Sequence, residues 1–154
     1  MANSVSVTWF DKWLFYSSTK DFDKGSYYGE WLVFFSEEHY DYVTLKCMEA
    51  VSSGLVKWAK HSSLEQVRTD HKGLFALKLE DSAVSFVDGR PVSKQHQAVL
   101  KWLIDNGFIK RTKSGKYTNI RFKLDSEGKG QHVGSDWSGF VLSDFLDPVT
   151  GECL

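Results

Sequence analysis

Hydrophobic spacing changes from a helical period to a strand period within residues 91–124. Ala98, Val99, Trp102 and Leu103 recur at three- and four-residue spacing, which predicts a helix with one core-facing side. From Phe108 onward the period is two, which predicts strands.

The ends of this helix have their own signals. Pro91 suits a first helical turn because it has no N–H to leave unpaired, and Ser93 is an alternative start as an N-cap. Asn106-Gly107 predicts the end, since glycine readily adopts the left-handed conformation of a C-cap.

The residues after the helix predict a basic β-hairpin. Residues 113–116, Lys-Ser-Gly-Lys, have the composition of a turn. Beyond the turn, one face is apolar and the other basic or polar. The apolar positions are Ile120, Phe122 and Leu124, and the alternating positions are Asn119, Arg121 and Lys123.

The first half of the chain also alternates between strand and helix patterns. Five consecutive apolar residues at 31–35 predict a strand over 29–35, buried on both faces and central in a sheet. Ser36 suits an N-cap. The helix that follows should run to about residue 52, with Gly54 as its stop. Its predicted apolar stripe is Tyr40, Val43, Cys47 and Val51, with Met48 beside it.

The remaining segments complete the predicted fold. Strands are expected over 55–61, 73–79, 83–87 and 137–146, whereas 8–17 fits a short helix or an opening strand, and 62–72 a loop or a short helix. A glycine-rich connector is expected over 125–136. Several connections are too short for parallel crossovers. The pattern therefore predicts an α+β fold: a curved, mostly antiparallel sheet of six or seven strands with two main helices packed on one face. We expect one domain over 1–154, with 1–7 and 149–154 as loose ends.

Composition narrows the class of protein. Aromatic residues make up 15% of the 154 residues, which argues against disorder. No apolar run approaches the roughly 20 residues of a membrane span, and the N-terminus lacks the pattern of a signal peptide. Cys47 and Cys153 are too few for a disulfide framework, which favours a reducing cytoplasm.

Charge gives the strongest functional signal. Six cationic residues and no acidic residue lie between 109 and 124, namely Lys110, Arg111, Lys113, Lys116, Arg121 and Lys123. The chain has 19 basic and 20 acidic residues, so the remainder has 13 basic and 20 acidic residues and a formal charge of about −7. The cations either protect a sheet edge from aggregation or form a surface for phosphates. In the second interpretation, Tyr117 is the nearest ring on which a nucleobase could stack.

Motifs of catalysis and of metal binding are absent from the sequence. It contains no HExxH, CxxC, Walker A loop, GxSxG, or GxGxxG after a strand. His96 fits a buried, hydrogen-bonded side chain better than a metal ligand. We therefore predict no catalytic residue, no metal site and no cofactor.

Three short motifs carry a resemblance to a known family. They are GEWLVFF at 29–35, SSGLVKWAKHSS at 52–63 and YTNIRFKLD at 117–125. Their layout resembles the basophilic-leukemia-expressed protein and phosphothreonine lyase family, which has the α+β fold of the mRNA cap-binding initiation factor. The resemblance implies a curved antiparallel sheet backed by helices, with Lys60 and Lys123 as candidate ligand residues. Residues 142–152, LSDFLDPVTGE, resemble small proteins of Gram-positive bacteria and their phages, many of which counter host defences.

These observations lead to one functional hypothesis and two rivals. The leading hypothesis is a cytoplasmic, non-enzymatic protein that binds a phosphorylated ligand, either nucleic acid or nucleotide, with a phage-type counter-defence role. Its ligand-binding residues would be Lys110, Arg111, Lys113, Lys116, Tyr117, Arg121 and Lys123. The first rival is a protein–protein inhibitor, of the anti-CRISPR type, whose acidic body imitates nucleic acid on a host defence protein. The second is an enzyme acting on phosphorylated substrates. An edge strand in the hairpin would permit dimerisation, and the pattern fixes no oligomeric state.

Overall fold

The computed structural model describes residues 5–18, 28–80, 84–124 and 140–154. Its helices are α1 Tyr40–Ser52, α2 Leu64–Asp70 and α3 Lys94–Asp105. Its strands are β1 Val5–Phe10, β2 Trp13–Ser18, β3 Tyr28–Phe35, β4 Trp58–Ser62, β5 Gly73–Glu80, β6 Ser85–Val87, β7 Arg90–Val92, β8 Arg121–Leu124 and β9 Phe140–Val141.

Seven of these strands form one antiparallel sheet in the order β1-β2-β4-β5-β3-β8-β9, and β6 pairs with β7 in a second sheet. The α+β prediction is therefore confirmed, including the number of strands in the main sheet. None of the helices in the described ranges is long and apolar enough to cross a membrane. The chain divides into two compact units: unit 1 comprises residues 1–24 and 32–78, and unit 2 comprises residues 25–31 and 79–154.

Unit 1 opens with a hairpin of strands, which decides between the two predictions for residues 8–17. β1 and β2 pair from Val5↔Ser18 to Phe10↔Trp13, and Asp11 adopts φ 56 in the turn between them. Residues 5–7, expected as part of a loose end, are therefore in a strand. Residues 64–70, for which a loop or a short helix was expected, form α2.

Helix α1 buries its predicted face against β2 and β4 of unit 1. Val43, Cys47 and Val51 are buried, whereas Tyr40 is half-buried and Met48 is exposed. A short 3-10 turn, Glu37–His39, separates Ser36 from the helix. Gly54 follows with φ 83, in the left-handed conformation that ends the segment as predicted.

Strand β3 is interior to the sheet, as predicted, but the prediction of burial on both faces is wrong. Trp31, Val33 and Phe35 are buried, whereas the side chain of Phe34 is 64% exposed. An apolar run does not reveal which face is covered. The ammonium of Lys72, 4.8 Å from the centroid of the Phe34 ring, partly shields that exposed face. The strand buried on both faces is β5, from Phe75 to Leu79.

Unit 2 contains α3, which starts at the second of its two predicted positions. The Ser93 hydroxyl accepts a hydrogen bond from the His96 N–H at 3.1 Å, whereas Pro91 lies in β7 opposite Phe86. A start near Pro91 is therefore wrong, because that residue completes a hairpin whose turn is Asp88-Gly89, with φ of 50 and 77. The predicted end at Asn106-Gly107 is confirmed by φ 79 at Gly107.

The buried face of α3 is rotated from the predicted one. Val99 and Leu103 are buried, and Trp102 is half-buried. Ala98 is exposed, so its prediction is wrong, and Leu100 is buried instead. The rotation brings His96 into the core, as predicted.

The predicted basic hairpin is much shorter than the pattern indicated. One bridge joins Arg111 to Tyr117. The chain then continues into β8, which pairs with β3 and β9 and not with the first arm of the hairpin. The predicted pairing of residues 120–124 within the hairpin is therefore wrong, because partners distant in sequence take up that strand. The predicted alternation holds in β8, where Phe122 is buried and its two basic neighbours are exposed.

The C-terminal part differs from the expected strand and loose end. Residues 125–139, which include the expected glycine-rich connector and the start of the predicted strand, lie outside the described residues. β9 has only two residues and is followed by a 3-10 turn, Leu142–Asp144. The tail is tied back by a bridge between Leu146 and Cys153 and by a hydrogen bond from Leu154 N–H to Phe145 O at 3.1 Å.

Candidate phosphate-binding surface

We use the term basic segment for residues 110–123 of unit 2, which carry all seven predicted ligand residues. The segment follows the end of α3, where the Phe108 ring lies 6.0 Å from that of Trp102 and Ile109 is buried. These apolar contacts fix the point at which the charged residues begin.

A tight turn presents the central lysines. Thr112 N–H donates to Lys116 O at 2.7 Å, and Gly115 N–H donates to Thr112 O at 2.9 Å. Gly115 has φ 85, which favours glycine, and this explains why the sequence predicted the turn correctly. Lys113 and Lys116 are exposed on either side of it.

Arg111 and Tyr117 brace the turn from within. The guanidinium of Arg111 lies 4.1 Å from the centroid of the Tyr117 ring and donates to Gly115 O at 2.6 Å and to Val149 O at 2.7 Å. Tyr117 N–H donates to Pro148 O at 2.8 Å. Arg111 therefore covers part of the Tyr117 ring that we predicted as a stacking surface. Its guanidinium also donates hydrogen bonds to backbone carbonyls of the protein, which leaves fewer donors for a ligand.

Arg121 and Lys123 occupy a different setting, on β8. Both are exposed, on the face opposite the buried Phe122. Lys123 is the cross-strand partner of Glu30, a buried acidic residue on β3. A carboxylate directly opposite lowers the local positive potential, so Lys123 is a weaker phosphate contact than the lysines of the turn.

The predicted residues therefore divide into three groups. Arg111 and Tyr117 are structural braces, and Arg121 and Lys123 lie on a strand. Lys110, Lys113 and Lys116 are exposed, and no ion pair joins them to another residue of the described ranges. These three ammonium groups are the best placed to bind an anion.

Unit 1 carries a second cationic cluster, in which Lys60 is half-buried and Lys78 is buried, and which the sequence did not predict as a site apart from Lys60. We call it the lysine–aromatic surface, and its members are Trp13, Phe15, Trp58, Lys60 and Lys78. The Lys60 ammonium lies 4.3 Å from the Trp13 ring centroid, and that of Lys78 lies 4.1 Å from the Trp58 ring. The rings of Phe15 and Trp58 are 5.7 Å apart. A cavity of about 250 Å³ adjoins it, between Trp13, Phe34 and Lys72.

In the described part of the chain, the groups with displaced pKa values are all buried. Burial lowers the pKa of His96 to about 4 and lowers that of His61, where a bond to the Ser62 carbonyl partly opposes the effect. Burial raises the pKa of Tyr16 to about 12 and raises the pKa of the Cys47 thiol. All four side chains are therefore neutral at pH 7, and Cys47 is not a thiolate nucleophile. Within the described residues, no three His, Cys, Asp or Glu side chains form a group that could hold a metal ion.

Comparison with known proteins gives no further assignment. No family model, no curated protein and no solved structure matches this chain. The two cationic surfaces are therefore the features from which a function can be inferred.

Proposed function

We propose that this chain is a non-enzymatic binding protein that holds a phosphorylated ligand, nucleic acid or nucleotide, on its basic segment. The observation that carries the proposal is the set of exposed side chains of Lys113 and Lys116 on one braced turn, with Lys110 exposed just before it. No carboxylate lies in the segment, so nothing within it competes with a phosphate. The phage-type counter-defence role stays a prediction of the resemblance.

The bracing of the turn supports this function energetically. Ordering a flexible loop on binding reduces affinity, whereas a turn already held by hydrogen bonds needs less ordering. The bonds of Arg111 to Gly115 O and Val149 O, and of Thr112 to Lys116 O, hold the backbone between the lysines before any ligand arrives. The lysine side chains themselves stay free to follow a phosphate backbone.

The lysine–aromatic surface supports a second contact surface for the same class of ligand. Rings on strands with ammonium groups beside them are typical of surfaces that stack bases and hold phosphates. This surface belongs to unit 1, so the two surfaces can be tested independently. Lys60→Glu tests the lysine–aromatic surface alone.

The test measures binding of a fluorescein-labelled single-stranded DNA of mixed sequence by anisotropy, at several salt concentrations. Each phosphate contact on a single strand contributes about 0.7 to the slope of log affinity against log salt. The double variant Lys113→Glu/Lys116→Glu should therefore lower the slope by about 1.4 and weaken binding at least tenfold at low salt.

A matched control separates local contact from net charge. Lys94→Glu/Lys101→Glu makes the same change of charge on α3 of the same unit, and we expect it to keep the wild-type salt slope. An equal loss in both variants would contradict a specific role of the turn. A wild-type protein that binds neither this DNA nor a labelled nucleotide would overturn the proposal and favour the inhibitor with an acidic body.

A further inference from the structure

Strand β1 ends the main sheet and lacks the usual protection of an edge strand. It pairs with β2 on one side, and no other strand of the described residues pairs with it. Its sequence, VSVTWF, has no lysine, no other charged residue and no proline. Proteins usually protect exposed edges with such residues or make the edge strand very short. At the opposite edge of the sheet, the described part of β9 is only Phe140–Val141.

The pairing of β2 shows which backbone groups of β1 point outward. Ser18 N–H donates to Lys57 O at 3.0 Å, so even-numbered residues of β2 bond towards β4 and odd-numbered residues bond towards β1. Because Phe10 is opposite Trp13, even-numbered residues of β1 bond to β2. The N–H and C=O groups of Val5, Val7 and Trp9 therefore point away from the sheet.

Apolar side chains accompany this open edge on both faces. Trp9 pairs with Leu14, which pairs with His61, and His61 contacts Thr44 of α1. Trp9 therefore lies on the α1 side of the sheet, and its side chain is still 60% exposed. Phe10, on the other face, is 68% exposed. α1 contacts β1 and has three more exposed apolar side chains, those of Tyr42, Leu45 and Met48.

A second copy of the same strand is the complementary partner. In antiparallel pairing about a two-fold axis at Val7, Val7 faces its own copy and Val5 faces Trp9. The same register places Ser6 opposite Thr8, so apolar residues meet apolar residues and hydroxyls meet hydroxyls. No like charges meet, since the strand is neutral.

The size of the patch suits a dimer. A large side chain has roughly 150–250 Å² of surface in total. Trp9, Phe10 and the three side chains of α1 are 40–68% exposed, so their exposed area amounts to roughly 500 Å² in each copy. Two copies would bury about 1,000 Å², which reaches the lower bound of a specific interface. We infer that β1 is the interface of a symmetric homodimer, in which the two sheets join antiparallel through β1 with Val7 on the two-fold axis.

Light scattering coupled to size exclusion tests this inference over a range of protein concentrations. The wild-type mass should approach twice the 17.6 kDa of one chain as concentration rises. Val7→Lys places two ammonium groups opposite each other on the axis and should raise the dimer dissociation constant about 10- to 100-fold. Circular dichroism checks that the variant is folded. A wild-type protein that stays at 17.6 kDa throughout would overturn the inference.

Val92→Lys is the matched control. Val92 is also a valine on a short strand, with 44% of its side chain exposed against 50% for Val7. Val92→Lys adds the same charge in unit 2, and the dimer should persist in this variant. Equal dissociation in both variants would show that added charge, not the β1 edge, breaks the dimer, and would overturn the assignment.

A cross-link tests the register without relying on a destabilising charge. In a Cys153→Ser background, Val7→Cys places two thiols on paired residues about 5.5 Å apart at Cα, within the range of a disulfide. Diamide, which takes up the two thiol hydrogens, should link the chains covalently. Val92→Cys in the same background should remain unlinked. Equal linking of both variants, or no linking at Val7, would contradict the proposed axis.

Discussion

Among the described residues each unit holds one fully buried histidine, and the two differ in how their ring nitrogens are satisfied. His61, in unit 1, bonds through both nitrogens: Nδ1 donates to Ser62 O at 2.8 Å, and Nε2 accepts from the Tyr16 hydroxyl at 2.7 Å. Thr44 Oγ1 lies 3.3 Å from the same Nε2. This side chain is a satisfied polar link between β4, β2 and α1.

His96, in unit 2, bonds through one nitrogen. Trp31 Nε1–H donates to His96 Nδ1 at 3.0 Å, so the proton of the neutral ring is on Nε2. Nε2 is buried and has no hydrogen-bond partner among the described residues. The Phe145 ring stacks on the imidazole at 4.9 Å, and the Phe122 ring meets it edge-on at 4.6 Å. The comparison shows that a buried histidine can be held by a polar network or by packed aromatic rings with a single hydrogen bond.

The largest loss of stability should come from removing the one hydrogen bond of the His96 ring, which Trp31 donates. Trp31→Phe keeps an aromatic ring but leaves Nδ1 without its donor and creates a cavity beside Phe122 and Phe145. We expect the free energy of unfolding to fall by about 2–4 kcal/mol, from the cavity and the unsatisfied nitrogen together. Urea unfolding followed by circular dichroism measures this change. A loss below about 1 kcal/mol would show that His96 does not depend on Trp31.

Acid should destabilise the protein mainly through the buried, neutral ring of His96. Because burial lowers the pKa of His96 to about 4, the unfolded chain takes up a proton more readily than the folded one below pH 6.5. The stability that the neutral ring provides is present above pH 6.5 and is lost as the pH falls towards 4. The loss amounts to about 3 kcal/mol, and His61 adds a contribution of the same sign.

Urea midpoints between pH 7 and pH 4 measure this loss. His96→Met should flatten the pH dependence while lowering the stability at pH 7. The control is His71→Asn, which removes an exposed histidine at φ 61, a conformation that asparagine tolerates. An unchanged pH dependence in His96→Met would show that other groups cause the acid lability.

Hydrophobic spacing predicted the fold where local pattern and tertiary environment agree. α1, β4, β5 and the end of α3 were found because their apolar positions repeat with the period of the element itself and because Gly54 and Gly107 end the helices. Phe34 and Ala98 were misjudged because their burial depends on elements far away in the sequence. Pro91 was misjudged because a local hairpin, in which it pairs with Phe86, takes the place of a first helical turn. An apolar run looks the same whether or not its second face is covered.

The candidate sites were harder to predict than the fold, because more of their contacts come from other elements. The turn of the basic segment was predictable, since glycine and lysines are adjacent in sequence. The bracing of Arg111 by Val149 O and the opposition of Lys123 by Glu30 were not, because both partners come from other elements. The lysine–aromatic surface forms only when β2, β4 and β5 pair. The two-residue spacing of Trp58 and Lys60 on a predicted strand, which places both on one face, was its one signal in the sequence.

The smallest loss of stability should come from removing the Tyr16 hydroxyl, because His61 has other hydrogen-bond partners. Tyr16→Phe removes the donor at 2.7 Å but leaves Thr44 Oγ1 at 3.3 Å from Nε2 and the bond of Nδ1 to Ser62 O unchanged. The ring of Phe fills the same space, so no cavity opens, and we expect a loss of about 1 kcal/mol. Trp31→Phe and Tyr16→Phe each remove one donor to a buried imidazole, but only Trp31→Phe also opens a cavity, so the difference between their losses combines the cavity with the missing second partner. Urea unfolding of both variants under one set of conditions gives that difference. A loss in Tyr16→Phe as large as in Trp31→Phe would mean that Thr44 does not replace the missing donor, and that His61 depends on one bond as His96 does.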